Sequence, residues 1–400
     1  MYANLSRYNN TSCIFLLRYV TYCTTVCVCT DMTVDNTTGS DGNASTTTQA
    51  ALLHFDSRWL IVAAVEFYIN NAVIAIAITG TAANALVLYA LITQHAQESK
   101  KRAVNLMIIN QNLIDLCCCV TIVICLCIRV SNIYLTGTLG YILCIFFLSE
   151  NIAYCLLNAS VVNLMGLTVE RYLKVVYPFW SKKNLKRWMI HGAVVFSWVA
   201  GILSISPVIF VTSAVDDGIC GTFLLWENLH TKNGYMIWNL FSFFILPVIV
   251  FVYCYGHIVF VMRKQMRVMA GHNVEASAQS ASQAQSKRVK WNVIKTMIIV
   301  STFFIICWCP FNISVMAVEH LPESSDLIIA YVVTLFLPYV NISLNPFIYA
   351  TKHEGVRRIL ARMIVCHKHG GVAAVSGTAG TSGNIDGSGT NKTQTTVALK

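Results

Sequence analysis

A single carboxylate, Asp115, stands in the middle of a long apolar segment. A charged side chain at such a depth in a membrane is costly, so it must be protonated, paired or bound to a cation. Its candidate companions carry oxygen donors: Ser160, and the stripe Asn341, Asn345 and Tyr349, whose spacing i, i+4, i+8 places them on one helical face. Together they could hold a small cation such as sodium. A polar knot that joins the helices is the alternative, and the spacing alone leaves both open.

A second charged group, Glu170-Arg171-Tyr172, ends another apolar segment. Counting back from Arg171 by threes and fours gives one continuous face, made of Leu167, Leu164, Ser160, Leu157 and Ala153. An arginine whose stem lies along the membrane boundary is the simpler interpretation. The adjacent Glu170 favours a switch in which the arginine changes its partner.

No arrangement typical of catalysis occurs in the sequence. There is no nucleophile beside a base, no glycine-rich phosphate loop and no pair of carboxylates at one site. Most of the 16 cysteines lie in apolar segments, where cysteine behaves as a small hydrophobic residue, and none has zinc-site spacing. The sequence predicts that the protein is not an enzyme and binds no cofactor beyond an allosteric sodium ion at Asp115.

The elements that must position these residues are membrane helices. The chain is 56% apolar and 12% charged, whereas soluble domains carry about 25% charged residues. Seven apolar segments are long enough to cross a bilayer, and they lie near residues 61–93, 104–130, 142–176, 188–211, 234–262, 291–319 and 327–350. We expect an all-α bundle of seven transmembrane helices, with a short amphipathic helix at the inner leaflet.

The basic residues set the orientation of this bundle. Most of the 28 lysines and arginines fall on one side, which the positive-inside rule assigns to the cytoplasm. The N-terminus is therefore expected outside the plasma membrane and the C-terminus inside. The net charge of +10 reflects this arrangement rather than a nucleic-acid partner. Five outer sequons are expected to be glycosylated: Asn4, Asn9, Asn10, Asn36 and Asn43.

The composition divides the chain into four parts. Residues 1–58 are expected to be a mostly disordered, glycosylated extracellular arm; a cleaved signal peptide near residues 13–29 is the alternative. Residues 59–351 form the membrane domain, residues 352–366 the amphipathic helix, and residues 367–400 a disordered cytoplasmic tail. Cys366 is a palmitoylation candidate, with a free cysteine as the alternative.

Motifs recur in a fixed order along these spans. They are Gly80 to Asn84, Asn112-Leu113-Ile114-Asp115, Glu170-Arg171-Tyr172, Trp198 with Pro207, Pro247 with Tyr255, Cys307-Trp308-Cys309-Pro310 and Asn345-Pro346-Phe347-Ile348-Tyr349. Each motif alone is weak. The ordered set resembles the rhodopsin-like class of G-protein-coupled receptors over about residues 60–366, and the sequence around Arg171 looks most like peptide receptors of the galanin and somatostatin type.

The resemblance implies a switch at the inner ends of the spans. Arg171 would leave Glu170 and reach into the groove of a heterotrimeric G protein, with Tyr172 beside it. Tyr255 and Tyr349 would swing inward to stabilise the open cytoplasmic side. Arrestin is a further partner that the class implies.

The resemblance also implies three sites within the bundle. Trp308, with Phe304, Pro247 and the kink at Pro310, would be the activation switch. A sodium pocket would consist of Asp115, Ser160, Asn341 and Asn345. Cys144 and Cys220 would form the outer disulfide; because Cys144 lies farther from Arg171 than is usual, a bulge in span three or a shifted bridge is expected.

The residue types at the expected pocket positions indicate the class of ligand. Ala153 stands where amine receptors place an aspartate, and span seven has no lysine before Lys352 that could bind retinal; Tyr339 stands there instead. Acidic residues at the outer rim, Glu150 among them, would attract a peptide or another basic ligand, although any one of them could equally be an ordinary solvated loop charge. The pocket candidates are Tyr154, Asn158, Trp308, Phe311, Asn312, Leu335 and Tyr339, although the aromatic ones could equally be helical core.

The sequence thus predicts a receptor for a neuropeptide or peptide hormone. Other functions stay open: a transporter or ion pump with seven helices, a membrane scaffold without signalling activity, or a receptor for a small molecule or lipid. A pump would place several charges at mid-membrane and repeat its halves, and this chain does neither.

Overall fold

The computed structural model describes residues 44–97, 102–131, 133–211, 214–216, 219–221, 229–271, 278–322, 324–352 and 355–363. The predicted glycosylation sites, Cys366 and the tail 367–400 lie outside these residues, so their assignments stay predictions.

Helices make up most of the described chain. They run over Ala44–Gln97, Arg102–Val130, Gly137–Leu143, Asn151–Val176, Pro178–Asn184, Arg187–Val211, Leu229–Leu240, Leu246–Gly271, Ala278–His320, Ser325–Leu335, Leu337–Lys352 and residues 355–363. Two π-helical segments, Cys144–Leu148 and Phe241–Ile245, interrupt this pattern.

Seven stretches of helix are long and apolar enough to cross a bilayer, as the sequence predicted. These are, as spans one to seven, Ala64–Ala96, Leu106–Arg129, Gly137–Val176, Arg187–Pro207, His230–Gln265, Trp291–His320 and Ser325–Lys352. In lipid the backbone must satisfy its own hydrogen bonds, which is why the spans are helical. The seven-helix prediction is confirmed.

The first helix starts earlier than the sequence suggested. It begins at Ala44, so the end of the predicted arm, up to residue 58, continues into span one as one helix of 54 residues. No proline or glycine lies between Ala44 and Thr79 to interrupt it. The boundary at residue 58 marked a change in hydropathy rather than a helix end.

Span three is broken near one end. The π-helical segment Cys144–Leu148 is followed by Ser149 and by Glu150, whose φ of 55° is left-handed, and a regular helix restarts at Asn151. A π turn accommodates an additional residue within a helix, and a left-handed conformation is uncommon outside glycine. This break is the bulge that the long spacing between Cys144 and Arg171 indicated.

Two glycines allow spans to approach closely. A Cβ added at Gly80 in span one would lie 2.5 Å from Ser343 Oγ and 2.8 Å from Cys119 Sγ. One added at Gly201 in span four would lie 2.5 Å from the carbonyl oxygen of Cys155 in span three. A larger side chain at Gly201 would have to displace the backbone of span three, whereas at Gly80 the side chains of Ser343 and Cys119 would have to move.

A short antiparallel ribbon adds the one pair of strands in the described residues. Ala214–Asp216 pairs with Ile219–Gly221, and Cys220 in the second strand forms the predicted disulfide with Cys144. The fold is therefore the predicted all-α bundle, with one short ribbon in addition. We call the side with this bridge the disulfide end and the opposite side the Arg171 end.

Candidate functional site

Asp115 is completely buried in span two, and three polar side chains donate hydrogen bonds to it. Ser160 Oγ lies 2.8 Å from Oδ1, and Gln111 Nε2 lies 3.2 Å from the same oxygen. Asn345 Nδ2 lies 2.9 Å from Oδ2. Spans two, three and seven thus meet at one carboxylate.

Two differences from the predicted pocket stand out. Asn341 is buried in span seven but is not among the donors to Asp115. Gln111, which the sequence analysis missed, donates both to Asp115 and to Ser160 Oγ. Its position four residues before Asp115, on the same helical face, was the signal that could have revealed it.

Gln111 belongs to a longer row of hydrogen-bonded side chains. Asn163 Nδ2 donates to Gln111 Oε1 over 2.8 Å, and Asn110 Nδ2 donates to Asn163 Oδ1 over 2.8 Å. Trp198 Nε1, in span four, donates to Asn110 Oδ1 over 3.0 Å. The row joins spans two, three and four, and it ends at Asp115.

At the Arg171 end, Glu170 and Arg171 form the predicted pair. Arg171 Nε lies 3.3 Å from Glu170 Oε2, while Lys174 Nζ contacts the other oxygen of Glu170. Both residues of the pair are buried. Tyr172 faces span five instead, where its hydroxyl lies 3.1 Å from His257 Nδ1.

The two other tyrosines of the predicted switch are buried near this end. The hydroxyl of Tyr255 lies 3.0 Å from Thr168 Oγ1 in span three. Tyr349 is fully buried, and its hydroxyl has no hydrogen-bond partner among the described residues. A buried hydroxyl without a partner is costly, so another packing that gives it one would be favoured.

Aromatic rings connect the middle of spans five and six. The ring centroids of Phe304 and Trp308 are 5.5 Å apart, and those of Phe304 and Phe251 are 5.6 Å apart. Pro247 is buried in span five, just after the π-helical segment, and Pro310 lies within the helix of span six. Phe304 and Trp308 of the predicted activation switch therefore share one aromatic cluster, and Pro247 and Pro310 lie in the same two spans.

Above Trp308, toward the disulfide end, lies a small apolar cavity that has no room for a water molecule. It is lined by Tyr154, Leu157, Trp308, Phe311, Leu335, Pro338 and Tyr339, which include five of the seven predicted pocket residues. The structure does not bring the other two into it. Asn158 donates to Ser204 Oγ of span four over 2.9 Å, and Asn312 donates to the carbonyl oxygen of Trp308 over 2.8 Å.

A second cavity, of about 30 Å³, lies between spans one, two, three and seven and is more polar. Its polar lining consists of Glu66, Asn70, Arg129, Glu150 and Tyr339. This volume is sufficient for ordered water, which needs roughly 10–15 Å³. Leu335 and Tyr339 line both cavities, so the two are neighbours.

Glu150, one of the acidic residues expected at the outer rim, is not an ordinary solvated charge. It is 8% exposed, and its Oε1 lies 2.6 Å from Arg129 Nη2. The hydroxyl of Tyr339 donates to its Oε2 over 2.7 Å. The break in span three explains the difference, because the left-handed Glu150 lies between the two helical parts of the span rather than in a loop.

These features define a bundle with an inward-facing cavity at one end and a buried ion pair at the other. The chain also matches the family described as "7 transmembrane receptor (rhodopsin family)" over residues 83–349. It belongs to this family and is a multi-pass plasma-membrane receptor rather than an enzyme, and the family match does not favour a pump or a scaffold.

Several curated receptors are similar to the chain. Galanin receptor 2a of Danio rerio is 23% identical over 315 residues, which cover 78% of this chain and 81% of that receptor. Melanopsin-A of Danio rerio is 25% identical over 311 residues, 75% of this chain and 50% of its own length. Somatostatin receptor type 3 of Rattus norvegicus is 29% identical over 215 residues, 51% of this chain and 49% of its own length. For the latter two, the chain matches only about half of the relative.

Proposed function

We propose that this protein is a receptor for a basic extracellular peptide and signals through a heterotrimeric G protein. The disulfide end would face outward, since disulfides persist in oxidising compartments. The Arg171 end would face the cytosol, because Lys174, Lys182, Lys183 and Lys186 lie near it. Membership in the family supports coupling to a G protein, and by the same reasoning arrestin is a further partner.

The single observation that supports the ligand class is the charge of the polar cavity. Two carboxylates, Glu66 and Glu150, line it together with one guanidinium, that of Arg129. A positively charged group of a ligand would be attracted there and would compete with Arg129 for Glu150. Ala153 contributes no carboxylate, and a retinal linkage is not proposed because span seven has no lysine before Lys352.

Tyr339 connects this cavity to the aromatic cluster. Its hydroxyl donates a hydrogen bond to Glu150, and its side chain lines the apolar cavity together with Trp308. A ligand that takes Glu150 away from Arg129 and Tyr339 would therefore change the packing against Trp308. Activation would be a shift in the populations of two bundle packings, in which Arg171 leaves Glu170.

The test is G-protein activation in cells that express the receptor, screened with peptides that differ only in the charge of one residue. We expect peptides with lysine or arginine at that position to activate, and their neutral analogues to be at least tenfold weaker, about 1.4 kcal/mol. A response to small molecules or lipids alone would contradict the ligand assignment.

For the switch, Arg171→Ala should abolish evoked signalling while surface expression and ligand binding persist. Arg187→Ala, an exposed arginine at the start of span four, is the matched control and should signal normally. Signalling by Arg171→Ala at the level of Arg187→Ala would contradict the role of Arg171.

A further inference from the structure

Whether the polar site at Asp115 fits a sodium ion depends on which atoms face the carboxylate. A hard cation is held by oxygen atoms of carboxylates, carbonyls, hydroxyls or water. Here the amide nitrogen of Gln111 donates to both Asp115 Oδ1 and Ser160 Oγ, the two oxygens expected to bind the ion together. Its N–H groups point to the place that the ion would take.

The orientation of the Gln111 amide depends on Trp198, which lies in another span. An indole nitrogen can only donate, so Trp198 requires the oxygen of Asn110 to face it, and Asn110 must then donate its NH₂ to Asn163. Asn163 in turn donates to Gln111 Oε1, which leaves the Gln111 NH₂ for Asp115. Each amide determines the direction of the next.

A second group fixes the same direction. Asn163 Nδ2 also lies 3.0 Å from the carbonyl oxygen of Met107, which can only accept. If the Gln111 amide turned its oxygen to Asp115, its NH₂ would face the NH₂ of Asn163. Turning Asn163 as well would bring its oxygen against the carbonyl of Met107. Buried polar groups without partners are costly. Both Trp198 and the carbonyl group of Met107 therefore oppose a reversal of the amides in this row.

We propose that the amide of Gln111 takes the place of a cation at Asp115 and makes this receptor insensitive to sodium. The residues Asp115, Ser160 and Asn345 are present, but as arranged they do not fit the ion. Asp115 already accepts hydrogen bonds from three neutral donors, which serve the stabilising purpose that a cation would otherwise serve.

The test is the melting temperature of the purified receptor in sodium chloride and in N-methyl-D-glucamine chloride at equal ionic strength. This measurement needs no agonist, so it is independent of the proposed ligand and signalling partner. The wild-type protein should melt at the same temperature in both salts. Gln111→Met, which keeps the side-chain length and removes the amide, should gain a sodium-specific rise of roughly 2–4 °C.

Three further variants make the result specific. Gln111→Leu should show the same gain and serves if Gln111→Met fails to fold. Adding Asp115→Asn to either variant should remove the gain. Asn158→Leu deletes a buried amide that pairs with Ser204 instead, and it should gain no sodium response.

Two results would overturn the proposal. One is a sodium-specific rise in the wild-type protein that Asp115→Asn abolishes, because the ion would then bind despite Gln111. The other is the absence of any gain in a folded Gln111→Met or Gln111→Leu protein, because the amide would then not be what excludes sodium.

Discussion

The bundle satisfies two of its buried carboxylates, Asp115 and Glu150, in different ways. Asp115 lies within a regular helix and accepts hydrogen bonds from neutral groups alone. Glu150 lies at the break of span three and is held by a guanidinium and a tyrosine hydroxyl. Both are at most 8% exposed, so neither relies mainly on water for stabilisation.

The two sites should respond differently when the carboxylate loses one of its hydrogen-bond or ion-pair partners. A carboxylate held by three dipoles keeps most of its stabilisation when one dipole is removed. A carboxylate held mainly by one opposite charge loses most of it, since an unpaired buried charge is far more costly than a weakened hydrogen-bond set. The site at Asp115 should therefore tolerate substitution of a partner better than the site at Glu150.

The largest effect is expected for Arg129→Met. It leaves Glu150 buried without its cation, and the free energy of unfolding should fall by about 3–5 kcal/mol. Denaturant or thermal unfolding in one fixed detergent measures this. Adding Glu150→Gln removes the stranded charge and should recover most of the loss. A double variant no more stable than Arg129→Met would show that the ion pair is not the cause.

A smaller effect is expected for Gln111→Met in sodium-free buffer. One donor to Asp115 is lost while Ser160 and Asn345 remain, so stability should fall by about 1.5–3 kcal/mol, the range for hydrogen bonds to charged groups. The same unfolding measurement applies. A loss as large as that of Arg129→Met would remove the distinction between the two sites.

The smallest effect is expected at a third ion pair, between spans five and six at the disulfide end. Lys232 Nζ lies 2.6 Å from Glu319 Oε2, and both side chains are nearly a quarter exposed. Lys232→Met should cost about 0.2–1 kcal/mol, and added salt should reduce the difference. A loss that equals that of Arg129→Met would show that burial does not determine how much an ion pair contributes to stability.

The roles of Asp115 and Glu150 differ in how far they could be predicted from the sequence. The importance of Asp115 was predictable, because a lone carboxylate in an apolar span requires partners, and Ser160 and Asn345 could be proposed from spacing and motif. The role of Glu150 was not, since its position depends on a π-helical segment and a left-handed residue that place an apparent rim charge inside the bundle. Gln111 lies four residues before Asp115 on the same helical face, and this spacing would have been enough to predict its contact with the carboxylate.

The sequence by itself determined the seven spans and the order of the motifs, and the resemblance that these motifs carry implied the pairing of Cys144 with Cys220. Lipid leaves apolar helices as the main way to cross, because the backbone must satisfy its own hydrogen bonds there. Only the tertiary structure decided which atoms face Asp115. The direction of the Gln111 amide depends on Trp198 in another span, because hydrogen-bond direction passes from one buried amide to the next.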